Sequence, residues 1–443
     1  MLTGFATLAT ASLPFWTAPR PDCNKPLCGY APLRNTSSAP VYFGSADGGW
    51  YNHAAMLTIH RDGGGDGGGG GGGGDFVFTA SWKNAPVSED TPGQRVLYAQ
   101  SADGLRWGPA RVLFPNMSTA ASPVAQFAGP FATIGGRLYA TATPALISAG
   151  DAQGAQWCLW PDGQDPRNCA TPDRPGTQPS GILIMRRLLP GSAGQQLGPI
   201  FWVGPDGPLP DVYAAAARAN GVLPLSAVDA QTRADVATLT DTPRREQLPC
   251  DAADGTPKCE GCVGGCQLYE KLPHIGLANE RSHWELPDGS GDVIVYRSHS
   301  KALFAAARPL DGGEAKQSDW PANVTLTDIP NDDSNINAGP LGAGRGVYIV
   351  ANGAPNKVRD PLTLAIARDG RNFSSCRVVQ TCTALLHNST CVARAPHNGN
   401  VGPSYPQALS VVDPAPPAVQ GLYVIATNNK EDVVITKVPW SAL

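Results

Sequence analysis

The sequence predicts an all-β protein: a single six- or seven-bladed β-propeller of four-stranded antiparallel blades, with a short helical insertion. Three observations carry that expectation. Glycine (51) and proline (42) are abundant and charged residues make up only 16%, a mixture that disfavours long helices and suits short strands joined by tight turns. Short apolar runs recur along all 443 residues with turn signals between nearly all of them, and no shift of composition marks a linker. Setting aside the tail and the insertions leaves length for about six or seven blades, at roughly 40 to 50 residues each.

Charge excludes several function classes. With 33 Lys+Arg against 37 Asp+Glu the formal net charge is −4, so there is no basic footprint for nucleic acid or an anionic membrane. No run approaches the roughly 20 apolar residues that span a bilayer, which predicts a soluble chain. A monomer is expected.

Taken in order, residues 1–40 form an N-terminal tail whose apolar start, with Ala9-Thr10-Ala11, reads as a secretion-signal remnant. Residues 41–443 form the propeller. Strand-like runs at 54–60 and 76–82 flank residues 63–74, which are glycine except for Asp66, so the insertion at 61–75 reads as a flexible hairpin loop. A phosphate cradle would need a following helix with Lys or Ser/Thr, and none follows. Further strands are expected at 94–99, 131–141 and 181–188. Residues 211–220 and 226–239 carry capping residues, an Ala-rich interior and a Gly221 stop, and predict helices within an insertion at 205–245. Strands resume at 291–297, 301–306, 346–352, 362–367, 421–427 and 432–438.

Eleven cysteines, together with Asn-x-Ser/Thr sequons at Asn35, Asn116, Asn323, Asn372 and Asn388, favour a secreted or extracytoplasmic protein. Cys250, Cys259, Cys262 and Cys266, in the insertion at 250–266, satisfy the ligand count of a structural zinc. The second pair lacks Cys-x-x-Cys spacing, so two disulfides are preferred over metal. Cys158/Cys169 and Cys23/Cys28 read as local bridges, and Cys376, Cys382 and Cys391 leave one thiol over. No cysteine has a nucleophile's surroundings, and no cofactor is expected.

The segment Ser101-Ala102-Asp103-Gly104-Leu105-Arg106-Trp107 follows a strand and resembles an Asp-box, a turn tied by a carboxylate over a packed aromatic ring. A second copy lies at 367–373 and a third is spread over 310–320, while Ser45-Ala46-Asp47-Gly48-Gly49-Trp50 reads equally as an ordinary Asp-Gly turn. Around these boxes, over roughly residues 42–439, the chain resembles the sialidase-like propeller superfamily. The resemblance rests on Asn279-Glu280-Arg281-Ser282, Trp284-Glu285-Leu286-Pro287-Asp288-Gly289, Tyr296-Arg297, Arg359-Asp360-Pro361-Leu362, Ser404-Tyr405-Pro406-Gln407 and Asn429-Lys430-Glu431-Asp432. In that family an arginine triad clamps a substrate carboxylate, a Tyr paired with a Glu is the nucleophile, and an Asp is the acid/base. The resemblance puts Glu280, Arg297, Arg359 and Tyr405 at the Glu, the second and third Arg, and the Tyr. The first Arg has no match, since Tyr51-Asn52-His53 stand in its place, and the Asp has none near Ser81-Trp82-Lys83-Asn84. In these departures, and in Glu89-Asp90-Thr91-Pro92-Gly93-Gln94, the chain is similar to another branch, the propeller rhamnosidases and rhamnosyl-glucuronate lyases.

The residues also argue for themselves. Arg297 and Arg359, at strand ends, would converge near the axis and hold a planar carboxylate bidentately, so the expected partner is an acidic oligo- or polysaccharide. His53 and Tyr405 would serve as base and acid for β-elimination, or Tyr405 activated by Glu280 would attack an anomeric carbon. Tyr51, Asn52, Asn84, His283 and His299 are further pocket candidates. The packing alternatives are a hydrogen-bonded His53, inter-blade ion pairs of the arginines with Asp360, Glu280 or Asp432, Tyr405 as a packed corner, and Glu431-Asp432 as a turn contact. The expected function is cleavage of a terminal glycosidic bond of a uronate- or sialate-containing glycan by a hydrolase or lyase. An exo-alpha-sialidase and a non-catalytic glycan-binding propeller are the alternatives.

Overall fold

The computed structural model describes residues 13–45, 48–61, 76–86, 93–118, 124–146, 183–189, 196–203, 211–241, 270–272, 276–298, 301–309, 325–332, 334–342, 344–354, 359–382 and 401–443. The Gly-rich loop at 61–75 and the Cys-rich insertion at 250–266, with Cys250, Cys259, Cys262 and Cys266, lie almost wholly or wholly outside them. So do Cys158, Cys169, Cys391, His299 and the third box at 310–320.

Among the described residues the chain is mostly β and forms five sheets of four or more strands, plus a two-stranded ribbon. The first sheet runs Tyr51–Arg61, Phe76–Ala85, Arg95–Ser101, Arg111–Phe114. The second is built on Val124–Ala128, Arg137–Leu146, Leu183–Leu189 and Phe201–Val203, and the third on Gly276–Glu285, Gly291–Ser298, Ala302–Pro309 and Thr325–Pro330. The fourth is Asn337–Leu341, Gly346–Ala351, Leu362–Ala367, Ser375–Gln380. The fifth takes Pro403–Val411, Gly421–Asn428 and Asp432–Val438 from the C-terminal part and completes itself with Ser37–Tyr42 from the N-terminal part.

Strand sequence and burial agree with this stacking. Gly421–Asn428 is buried at every position, as a strand covered on both faces must be, and is correspondingly a nearly unbroken apolar run. Apolar side chains fill the gaps between sheets. Phe78 and Trp82 of the first sheet pack with Tyr423, Ile425 and Val433 of the fifth, Phe78 and Tyr423 ring to ring at 4.6 Å. Leu362 and Leu364 of the fourth meet Val424 and Ala426 of the fifth, and Trp284 of the third meets Phe373, between the last two strands of the fourth, at 6.0 Å. Each such fully buried side chain contributes about 1.5–3 kcal/mol by leaving water. The leading strands of neighbouring sheets touch one another, 51–61 against 124–128 and 403–411, 403–411 against 337–341, and 337–341 against 276–285. Those strands therefore line the centre.

Two turns show how local chemistry places these strands. At 101–107 the Asp103 carboxylate accepts from the backbone N–H of Leu105 and Arg106 at 2.9 and 2.7 Å, and the Trp107 indole N–H reaches the Gly104 carbonyl at 3.1 Å. Burial pushes the Asp103 carboxyl up, but these backbone bonds and the Arg106 guanidinium outweigh it and hold the group below the usual carboxylate range. Asp369 ties the turn at 369–372 in the same way, accepting from Arg371 and Asn372 N–H at 2.9 and 2.8 Å. The run at 131–141, read from sequence as one strand, is instead a hairpin of Ala132–Ile134 with Arg137–Leu146. Gly135 and Gly136, at φ 55° and 76°, supply the left-handed pair that a two-residue turn needs.

Helices α1 (Asp211–Ala219) and α2 (Ala230–Asp241) lie beside the second sheet. Ala216 and Ala217 of α1 join the core under that sheet. Asp229 caps α2 through the Thr232 N–H at 2.8 Å. Asp235, buried on α2, takes a bidentate guanidinium from Arg137 at 2.6 and 2.5 Å and the Tyr139 hydroxyl at 2.6 Å. Asp235→Ala removes the carboxylate that holds the buried Arg137 guanidinium bidentately, so a loss of about 3 kcal/mol is expected, read from urea unfolding. Hydrogen bonds from Arg137, ahead of the opposing effect of burial, lower the Asp235 pKa to about 2. Its contribution is thus complete above the ordinary carboxylate pKa of about 3.9 and fades as pH falls toward about 2. Asp235→Asn should flatten the acid limb of the stability curve across that window.

Cys23 and Cys28 are disulfide-bonded, Cys382 is disulfide-bonded, and Cys376 is a buried free thiol whose burial pushes its pKa up to about 12. No helix among the described residues is long and apolar enough to cross a membrane.

Candidate active site

Three of the central strands break their pairing at corresponding places. In Tyr51–Arg61 the register jumps from His53↔Lys83 to Met56↔Ser81, so two residues oppose one, and Ala54 takes φ 50°. In Pro403–Val411 it jumps from Ser404↔Thr427 to Gln407↔Ile425, with Tyr405 at φ 54°. In Gly276–Glu285 it passes from Asn279↔Arg297 to Arg281↔Tyr296, leaving Glu280 as the extra residue. A bulge bends its strand and re-aims one side chain, which is how a central strand turns a functional group toward the axis. Arg359, at φ 50°, precedes the Leu362–Ala367 strand and is redirected by its own left-handed backbone.

These devices bring together side chains from three sheets and from the loop that leads into a fourth. The His53 ring lies on the Tyr405 ring with centroids 4.0 Å apart and planes tilted by 56°. Arg297 Nη1 donates to Tyr405 Oη at 2.8 Å. The guanidinium carbons of Arg359 and Arg297 sit 5.5 and 5.9 Å from the Tyr405 ring centre. His53 is 0% exposed and its Nδ1 lies 3.0 Å from Thr427 Oγ1, and Arg359 is 7% exposed with its backbone N–H turned to Asp332 Oδ2 at 3.4 Å. Tyr51 meets His53 edge-on at 5.7 Å. Lys83 and Lys430, each 3% exposed, hold their ammonium nitrogens 6.0 and 5.8 Å from the Tyr51 ring centre. The cluster is a phenol and an imidazole in contact, with guanidinium groups beside them. Such an arrangement stabilises negative charge on the phenol oxygen and offers a carboxylate a cationic wall.

The remaining candidates fall elsewhere. Asn52 and Asn84, expected in the pocket, are occupied as braces. Asn52 Nδ2 donates to the Glu431 carbonyl at 2.7 Å, and its Oδ1 accepts from Trp82 Nε1 at 3.0 Å and from Asn84 Nδ2 at 2.8 Å. Asn84 Oδ1 in turn accepts from Arg95 Nε at 2.9 Å. These bonds, with Asn52 N–H to the Lys430 carbonyl at 2.7 Å, fasten the first sheet to the fifth behind His53. His283 pairs with Ile294, three residues along its neighbour from Arg297 and so about 10 Å toward the Asp288 turn. Glu280 stands at the bulge beside Arg297, its side chain outside the described residues. Asp432, weighed as an arginine partner, accepts from Gly44 N–H at 3.1 Å. Sequence reasoning missed Thr427, a threonine in an apolar strand without any motif, and Asp332, whose only signal is the polar run Asn331-Asp332-Asp333.

Sheets ranged about a centre that their leading strands line make this a β-propeller. No family model matches the sequence, and no curated protein does. Among solved structures, one described as a sialidase matches 97% of this chain at a TM-score of 0.62 and 16% identity, this chain covering 35% of its length. A Trypanosoma rangeli sialidase matches 92% of the chain at 0.41 and 11% identity, with 58% of its length covered. A Penicillium chrysogenum alpha-L-arabinanase complexed with arabinobiose matches 87% at 0.30 and 10% identity, with 76% covered. The chain thus spans about a third of the first of these proteins and under two thirds of the second. At such identities the likeness is one of fold.

Proposed function

We propose that the protein is a carbohydrate-active enzyme that cleaves a terminal glycosidic bond at an acidic sugar of a glycan. The observation that carries this reading is the convergence of His53, Tyr405, Arg297 and Arg359, from three sheets and a connecting loop, on one point. Arg297 and Arg359 hold the sugar carboxylate. Neutralising that carboxylate acidifies the proton on the adjacent ring carbon, and His53 takes it. The C–H electrons form the new ring double bond, the bond to the neighbouring glycosidic oxygen breaks, and Tyr405 gives that oxygen its proton. The product is an unsaturated uronate.

Hydrolysis is the second reading, favoured by the Glu280 bulge beside Arg297. Tyr405 would then attack the anomeric carbon and water would release the sugar. A uronate or a sialate would fit this route. The Cys23–Cys28 bond supports an oxidising, extracytoplasmic setting.

Incubation with a glucuronate-bearing gum glycan and with a sialoside tests the reading. Elimination yields an ultraviolet-absorbing unsaturated end, and hydrolysis a free sugar without it. If neither substrate gives either product, the propeller is a glycan-binding module and the catalytic reading is wrong.

A further inference from the structure

Thr427 stands behind His53, on the neighbouring fifth sheet, and has only one hydroxyl proton to give. Its Oγ1 lies 3.2 Å from the Ser404 carbonyl oxygen and 3.0 Å from His53 Nδ1. The carbonyl can only accept, so the hydroxyl proton goes there, and Oγ1 turns a lone pair toward the imidazole. The bond to Nδ1 forms only if that nitrogen brings the hydrogen. Ser404, Thr427 and His53 are all fully buried, so no solvent stands ready to replace a mismatched partner.

We infer that Thr427 is a positioning residue that places the neutral-ring proton of His53 on Nδ1 and leaves Nε2 as the basic nitrogen. This rests on His53 being the base proposed above. Ser404 immediately precedes Tyr405 and pairs with Thr427 across the ladder. One bulge therefore aims the phenol and, through the Ser404 carbonyl and Thr427, selects the nitrogen of the imidazole that can take a proton. Tyr51 and Tyr405 also meet the ring, and their hydroxyls both donate and accept and so do not impose a tautomer.

The test is nitrogen NMR of the full-length protein in alkaline buffer, the His53 signals being assigned by their loss in His53→Gln. The expected wild-type spectrum shows the proton on Nδ1. Thr427→Val, which keeps the shape and removes the acceptor, should move the proton toward Nε2 and lower kcat on the glucuronate glycan about tenfold or more with KM nearly unchanged. Thr427→Ser should restore both. A wild-type ring carrying its proton on Nε2 overturns the inference even if the valine variant does not fold. So does a valine variant whose tautomer is unmoved. A proton on Nδ1 that shifts as expected, in a protein that cleaves no glycan, upholds Thr427's role and defeats the proposed function instead.

Discussion

His53→Gln is expected to lower turnover by about 10²–10⁴-fold, the usual worth of a positioned general base, while the melting temperature moves little. Glutamine fills most of the imidazole's space and offers Thr427 a polar partner, so the pocket need not collapse, but its amide cannot take up a proton near neutral pH. The ring's position decides the size of the effect. It lies against Tyr405 at 4.0 Å, beside the phenol proposed to protonate the leaving oxygen. Steady-state kinetics on the glucuronate glycan beside a thermal melt provide the check. A variant that retains more than about a tenth of wild-type kcat would remove His53 from the chemistry.

The second large effect concerns the cationic wall. Arg359→Met should act mainly on KM, raising it about 10- to 100-fold, because a charge-assisted contact to a carboxylate is worth about 1.5–3 kcal/mol. Arg297→Met should lower kcat as well, since Arg297 Nη1 also donates to Tyr405 Oη at 2.8 Å and its loss changes the acid itself. Both guanidiniums face the same ring, so the double variant should fall short of the product of the two losses. Substrates whose carboxylate has been reduced to an alcohol should show little difference between wild type and variants. Equal sensitivity toward charged and uncharged substrates would sink the clamp.

What could be read in the sequence divides along a physical line. Outer and middle strands such as Gly421–Asn428 and Leu362–Ala367 are buried on both faces, so their apolar runs announced them. The central strands Gly276–Glu285, Asn337–Leu341 and Pro403–Val411 passed unnoticed. They carry proline, glycine and polar side chains, and two of them are broken by a bulge, so neither alternation nor an apolar run survives. The bulge that hid Pro403–Val411 is also the one that carries Tyr405 to the centre. His53, Arg297, Arg359 and Tyr405 were singled out by the family resemblance and its departures, and the fold brings them together, while their part in catalysis is the proposal made above. Asn52 and Asn84 were equally conspicuous, but polarity alone does not tell a brace from a ligand contact. Thr427 gave no signal, since its role depends on a carbonyl 23 positions away in the chain.

The Ser37–Tyr42 strand, borrowed by the last sheet, works as a clasp. Until it is fastened, the free edge of Asp432–Val438 offers unpaired backbone to any passing strand, and the segment bearing Tyr405 has no fixed seat against the one bearing His53. Assembly must therefore join regions almost four hundred positions apart before any chemistry begins, a topological demand that favours slow folding. A nascent polypeptide on the ribosome could not close this sheet until residues 432–438 had emerged.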